Sequence, residues 1–181
     1  MAPAEPNRPT GADRKPHDTR SQSLGATPLD VTSPLLSRMP FDLRSRSIRT
    51  LAWLGDVEFE REVRLRLIAR GDYPTHRLDA IKALIVCAES QAALLSGIEA
   101  ELDEEESSVV RRARNTSTRG TSRSQRNTRA YRAATAFEAL IAHWFYSAAQ
   151  GRERFTALVE PGLTLAIDQA IQRAGVRLRR G

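Results

Sequence analysis

Cysteine is nearly absent from this chain: Cys87 stands alone, so no internal disulfide can staple the fold. It lies in the apolar run Ala83-Leu-Ile-Val-Cys-Ala88, which predicts a buried, reduced thiol rather than a nucleophile. Aromatic residues make up only 6%, although 40% of the chain is hydrophobic, so the core has to be built mainly from aliphatic side chains. No apolar run approaches the roughly 20 residues of a membrane span, and the N-terminus lacks the apolar centre of a secretory signal. The expected location is therefore the cytoplasm, without a membrane. Arginine and serine near the start leave organelle targeting open, with Glu5, Asp13 and Asp18 counting against it. Strand-like alternation and internal repeats are missing, as are the nucleophile-elbow, phosphate-loop, dinucleotide and zinc spacings. The three histidines, His17, His76 and His143, have no spaced ligand partners.

What is present is helical periodicity. A length of 181 residues leaves room for one globular domain with flexible ends. Seven of the nine prolines fall at or before Pro40, so residues 1–33 read as a disordered tail, with 35–43 as a lead-in to the core. From there the expectation is an all-α domain over 34–176 and a basic end at 177–181. The first helix runs from about Ser47 to Arg70 and stops at Gly71. A second is predicted over 76–98, capped by Thr75, with Leu78, Ile81, Leu84, Ile85, Leu94 and Leu95 facing the core. A third begins near Asp103, where Glu106 three residues on makes a capping box and the acids suit the positive end of the helix dipole. That acidic start reads as solvated. Two further helices are expected at about 130–149 and 151–174.

Charge is distributed unevenly within a net of +6. Between Arg111 and Arg132 stand Arg112, Arg114, Arg119, Arg123, Arg126 and Arg129 with no acid among them. A one-signed block of this kind is a solvated segment that often contacts nucleic acid, and arginine suits bidentate phosphate contact. Its centre, 115–129, is rich in serine, threonine and glycine and is predicted to be a loop.

Against this basic background, two acids stand alone on apolar helical stripes. Asp56 has Trp53, Glu60 and Val63 for neighbours on its face; Glu138 has Ala134, Thr135, Ile141, Ala142 and Phe145. A carboxylate in such company is costly unless it is paired or binds a metal. For Asp56 the alternatives are a helix cap or a buried hydrogen bond; for Glu138, a core ion pair with Arg132 or another arginine. If the two acids share a cation, with Glu60 one turn from Asp56 as a further ligand, magnesium is the natural choice, because it takes few carboxylates and leaves room for phosphate oxygens. Glu58 and Glu62 alternate with Arg61, Arg64 and Arg66 and read as an ordinary solvated face.

Leu54-Gly55-Asp56-x-x-x-Glu60 resembles the signature helix of the ribonuclease III catalytic domain, and Ala134-Thr-Ala-Phe-Glu138-Ala-Leu-Ile141 resembles its second acidic helix. Val86-x-Ala-x-x-Gln91-Ala92, Glu104-Glu-Glu106, Arg111-Arg-Ala-Arg-Asn115 and Tyr131-Arg132 fit the Mini-ribonuclease III branch, which lacks a separate double-stranded-RNA-binding domain. The resemblance spans about 50–159. It implies a homodimer that cleaves double-stranded RNA with magnesium (manganese as a possible substitute), leaving 5′-phosphate and 3′-hydroxyl ends and trimming precursor 23S ribosomal RNA, with ribosomal association possible. Asp56 and Glu138 take the catalytic and metal positions and Glu60 a lesser one; Arg111, Arg112, Arg114, Asn115, Arg119, Arg123, Arg126, Arg129 and Arg132 would contact RNA. Further acids of full-length ribonuclease III are Ala52 and Thr135 here, Asp79 stands where a histidine is expected, and Ala142 replaces a common glycine. The competing reading is a non-catalytic RNA-binding or ribosome-assembly protein on the same helices.

Overall fold

The computed structural model describes residues 45–116, 125–148 and 150–178, and among them the chain is helical with no strand. The expected tail over 1–33 and lead-in over 35–43 lie outside the described residues, as do Arg119 and Arg123.

Helix α1 spans Ile48–Arg70. Ser47 caps it, its Oγ accepting from the Thr50 N–H at 3.2 Å, and it ends at Gly71, whose φ of 156° is one that side chains rarely adopt. The helix predicted over 76–98 is two helices, α2 (Thr75–Ile85) and α3 (Ala88–Ile98). The Val86 N–H closes α2 on the Lys82 carbonyl at 3.0 Å; Cys87 then takes an extended conformation (ψ 155°), and its carbonyl accepts from the Gln91 N–H at 3.0 Å to begin α3. Thr75 is the first helical residue and Pro74 the cap, so the predicted threonine cap is replaced by a proline without a side-chain hydrogen bond. Cys87 is half-buried at this break, less enclosed than its apolar run predicted.

A short 3-10 turn, Glu99–Glu101, leads to α4 (Glu104–Asn115). Its capping box forms as expected, Asp103 Oδ1 accepting from the Glu106 N–H at 2.8 Å and Glu106 Oε2 from the Asp103 N–H at 2.9 Å. Helix α5 runs Gln125–Tyr146, so helix occupies Asn115 and 125–129 of the predicted loop. The basic segment binds its own carbonyls there, because nothing in its arginines and threonines forbids a helix. The last predicted helix is also divided, into α6 (Gly151–Leu158) and α7 (Glu160–Leu178). Pro161 is the reason: it offers no N–H to the preceding turn.

Helix α5 is the centre of the domain, with α1, α3, α4 and α6 packed around it and α7 against α2 and α3. Its residues Ala136, Phe137, Ala139, Leu140, Ile141 and Ala142 are wholly buried. Phe59 of α1 meets Phe137 edge to face at 5.1 Å. Each large aliphatic or aromatic side chain buried this way contributes about 1.5–3 kcal/mol. Among the described residues no single helix is long and apolar enough to cross a membrane.

Candidate active site

Two helices come unusually close where α1 crosses α5. A Cβ placed on Gly55 would lie 1.8 Å from the Glu138 carbonyl oxygen and 3.2 Å from the Ala142 nitrogen, so only glycine permits the crossing. Asp56 follows Gly55 directly, and this contact brings the two lone acids within electrostatic reach of each other. Burial first, and then the Asp56 charge, raise the Glu138 carboxyl to about 7, with the polar amide of Gln91 opposing the shift. Asp56 is raised by partial burial and by the charge of Glu60. Neither acid has an ion-pair partner among the described residues, so the core pair with Arg132 allowed by the sequence does not form. Two carboxylates that repel each other, without a counter-charge, suit a cation.

A carboxyl that titrates near neutrality makes stability pH-dependent. With its folded pKa above the usual 4.5, Glu138 contributes stability that is full below about 4.5 and lost as pH rises through about 7. In a chelator, wild type is expected to lose melting temperature relative to Glu138→Gln between about pH 5 and about pH 8. Parallel melting curves at both values would contradict this.

Glu60 has a different situation. Its Oε1 accepts from Arg64 Nε at 2.9 Å and Lys82 Nζ at 3.1 Å. The Arg64 hydrogen bond is the main cause holding its carboxyl below the usual range. Its charge is thus already compensated, and no group of three acid, histidine or cysteine side chains gathers for a metal among the described residues. Ala52 is buried at its position, and Thr135 turns its hydroxyl to the Tyr131 carbonyl at 3.0 Å.

The stripe beside Asp56 departs from expectation. Val63 is in the core, but Trp53 is 73% exposed and Ile68 60%, with Val57 and Leu65 also open. Asp56 itself is exposed, on the border between the core face and an outward apolar ridge. Nor is the Glu58–Glu62 face solvated. Tyr146 donates to Glu58, and buried Glu62 binds Arg66 Nη1 at 2.6 Å, while Arg66 reaches Glu160 on α7 at 2.9 Å. Periodicity shows which residues share a face, and cannot show that α6 and α7 return to cover it.

Four of the predicted RNA contacts, Arg114, Asn115, Arg129 and Arg132, line a cleft of about 940 Å³ between α3, the end of α4 and the start of α5. Its other walls are small, Ala92, Ala93, Ser96, Ala130 and Ala133, and at its rim Arg114 Nη2 pairs with Glu99 Oε2 at 2.9 Å. Arg111 stands apart, 3.8 Å from Glu104, and Arg112 is exposed. The side chain of Arg126 lies outside the described residues.

Two structurally decisive residues carried no signal for their roles in periodicity. Glu106 was expected to be solvated and is 3% exposed: Trp144 Nε1 donates to its Oε1 at 2.7 Å, and Arg154 binds both oxygens at 2.8 and 2.6 Å. It ties α4 to α5 and α6. Gln91, noted only within the Val86–Ala92 motif, is buried and donates from Nε2 to the Val86 carbonyl at 3.3 Å.

Comparison with known proteins agrees with this fold. Residues 49–148 match the model of the ribonuclease III domain. A Mini-ribonuclease 3 of Desulfitobacterium hafniense is 40% identical over 106 residues, covering 59% of this chain and 66% of the relative. A Mini-ribonuclease 3 of Brevibacillus brevis is 36% identical over 115 residues, 64% of this chain and 84% of its own. A crystal structure of a Fusobacterium nucleatum protein superposes with a TM-score of 0.54 at 26% identity, covering 71% of this chain and 97% of that one.

Proposed function

Since this chain belongs to the ribonuclease III domain family and is an endoribonuclease of that type, we propose that it cleaves double-stranded RNA with a divalent cation held by Asp56 and Glu138. The observation that carries this reading is the Gly55 crossing, which brings two carboxylates without ion-pair partners into electrostatic reach of each other in a chain otherwise rich in arginine. Their hard oxygen donors fit magnesium, with manganese as a substitute. When bound, such a cation supplies polarisation of the phosphoryl group and charge compensation for the leaving oxygen. Asp56 and Glu138 do the holding. Glu60, through the charge it adds beside Asp56, has at most a supporting part while Arg64 and Lys82 occupy it.

The arginine cleft supports the choice of substrate. Arg129 and Arg132 on α5, with Arg114 and Asn115 on α4, present donors for phosphates, and the exposed Arg111 and Arg112 extend the same sign of charge. A-form RNA is read mainly through its backbone and 2′-hydroxyls, which such donors suit without base contacts. The ridge of Trp53, Val57, Leu65 and Ile68 supports a homodimer: these exposed apolar side chains stand on α1 beside Asp56, with Arg61 and Arg64 among them, and pairing two copies there would set two sites on opposite strands of a duplex. In the same reading the substrate is precursor 23S ribosomal RNA, met in the cytoplasm or on ribosomal particles.

Asp56→Asn and Glu138→Gln are each expected to lower cleavage of duplex RNA on the order of 10³-fold, while salt-sensitive RNA binding persists. Cleavage surviving both changes would refute the assignment. Trp53→Glu is expected to convert dimer to monomer in sedimentation velocity, and an unchanged sedimentation coefficient would remove the ridge from the dimer.

A further inference from the structure

We propose that Glu99 sets how tightly the arginine cleft holds RNA: its carboxylate occupies Arg114 in the free protein, and an RNA phosphate has to displace it. The proposal rests on the reading of that cleft as the RNA contact.

Glu99 follows the last residue of α3 and opens the 3-10 turn that leads to α4, while Arg114 stands in the last turn of α4. The two side chains meet fork to fork. Arg114 Nη1 donates to Glu99 Oε1, and Nη2 donates to Oε2 at 2.9 Å. This is the planar, two-point contact that a guanidinium also makes with a phosphate. The carboxylate therefore holds the end of Arg114 that RNA would take. Its place in the fold points the same way. Glu99, Arg114 and Asn115 line both the cleft of about 940 Å³ and a second hollow of about 280 Å³ that reaches Arg111. The pair stands between the two, so opening it would join Arg129 and Arg132 to Arg111 in one basic path.

Helix stability does not account for an acid at this position. A negative charge at the C-terminal end of α3 opposes the helix dipole, and the last turn of α3 has no basic residue to offset it. Nor is the pair a strong tie, because both side chains are partly open to water, where such pairs contribute little. That weakness is what lets a polyanion displace the carboxylate. Until it does, the charge of Arg114 is neutralised, and a phosphate entering beside Arg129 and Arg132 meets a charge of its own sign.

The test is Glu99→Gln in the full chain, which keeps an acceptor for Arg114 and removes the charge. Binding of a short labelled RNA duplex is measured by fluorescence anisotropy in a chelator, over about 50–200 mM salt. Glu99→Gln is expected to bind about 3–5-fold tighter at the lowest salt. Its plot of log affinity against log salt should steepen by about one unit, because Arg114 then meets a phosphate. With Arg114→Ala added, the gain is expected to fall to within about twofold, since the two residues act as a pair. A purely structural tie would move neither the salt slope nor this coupling. Glu99→Gln binding no tighter than wild type, or with an unchanged salt slope, overturns the role of Glu99; the cleft stands if Arg129→Ala and Arg132→Ala still weaken binding. If those two variants bind as wild type does, the reading of the cleft falls and this proposal with it. Should Glu99→Gln fail to fold, the Arg114 Nε–H resonance of the wild type decides: it is expected to shift as the duplex binds. A resonance unmoved at saturating duplex overturns the proposal.

Discussion

Gly55→Ala is expected to damage both the fold and cleavage, more than any other single methyl group added to α1. The new Cβ would lie 1.8 Å from the Glu138 oxygen and 2.6 Å from its carbonyl carbon. Both are backbone atoms, so no rotamer change relieves the clash; the helices must move apart. Overpacking of this kind costs typically 1–3 kcal/mol, and for a chain of this size about 3 kcal/mol lowers the melting temperature by roughly 6–12 °C. Separation at this crossing also moves Asp56 away from Glu138, and a displacement of about 1 Å can cost about 10²-fold in rate. Melting by circular dichroism and cleavage at a temperature where the variant is folded measure the two effects separately. A variant with wild-type melting and wild-type cleavage would show that the crossing does not set the site.

Glu106→Gln should unfold the domain more readily, by about 3 kcal/mol, without touching the acids of the site. Burial opposes the Glu106 charge, but bonds from Arg154, the Asp103 backbone and Trp144 prevail and hold its carboxyl at about 2. Because this folded pKa is below the usual 4.5, its stabilisation is full above about 4.5 and lost as pH falls towards about 2. A shift of this size corresponds to about 3 kcal/mol. Removing the charge leaves Arg154 without its carboxylate, but that guanidinium is partly open to water, which keeps the loss at the lower end for a broken buried pair. Chemical denaturation at neutral pH measures the loss, and acid titration checks its source: wild type should lose this advantage over Glu106→Gln as pH falls below about 4.5. A variant as stable as wild type at neutral pH would remove Glu106 as the tie between α4, α5 and α6.

Local chemistry was legible where one residue type decides the outcome. Gly71 and the Asp103–Glu106 box set helix ends through their own backbone and side-chain bonds, and both form as predicted. The two lone acids could be singled out for the same reason, since an unpaired charge among apolar neighbours is anomalous in any fold. Less legible were the breaks at Val86–Cys87 and Val159, where the apolar pattern continues across a change of direction, and the arginine segment, where Asn115 and residues 125–129 of the predicted loop belong to α4 and α5.

By itself, then, the sequence determined an all-α domain, the helix ends at Gly71 and at the Asp103–Glu106 box, and the identities of Asp56 and Glu138 as charges without local partners. Only the tertiary structure decided that a glycine would let α1 and α5 touch and bring those charges together. It also decided that Glu106 is inside rather than solvated, that Gln91 is buried with its amide on the Val86 carbonyl, and that the Trp53 ridge faces outward. The physical reason is range. Capping and periodicity act over a few residues along one helix, whereas burial and pairing depend on which helix arrives opposite, and that is set by the packing of the whole domain.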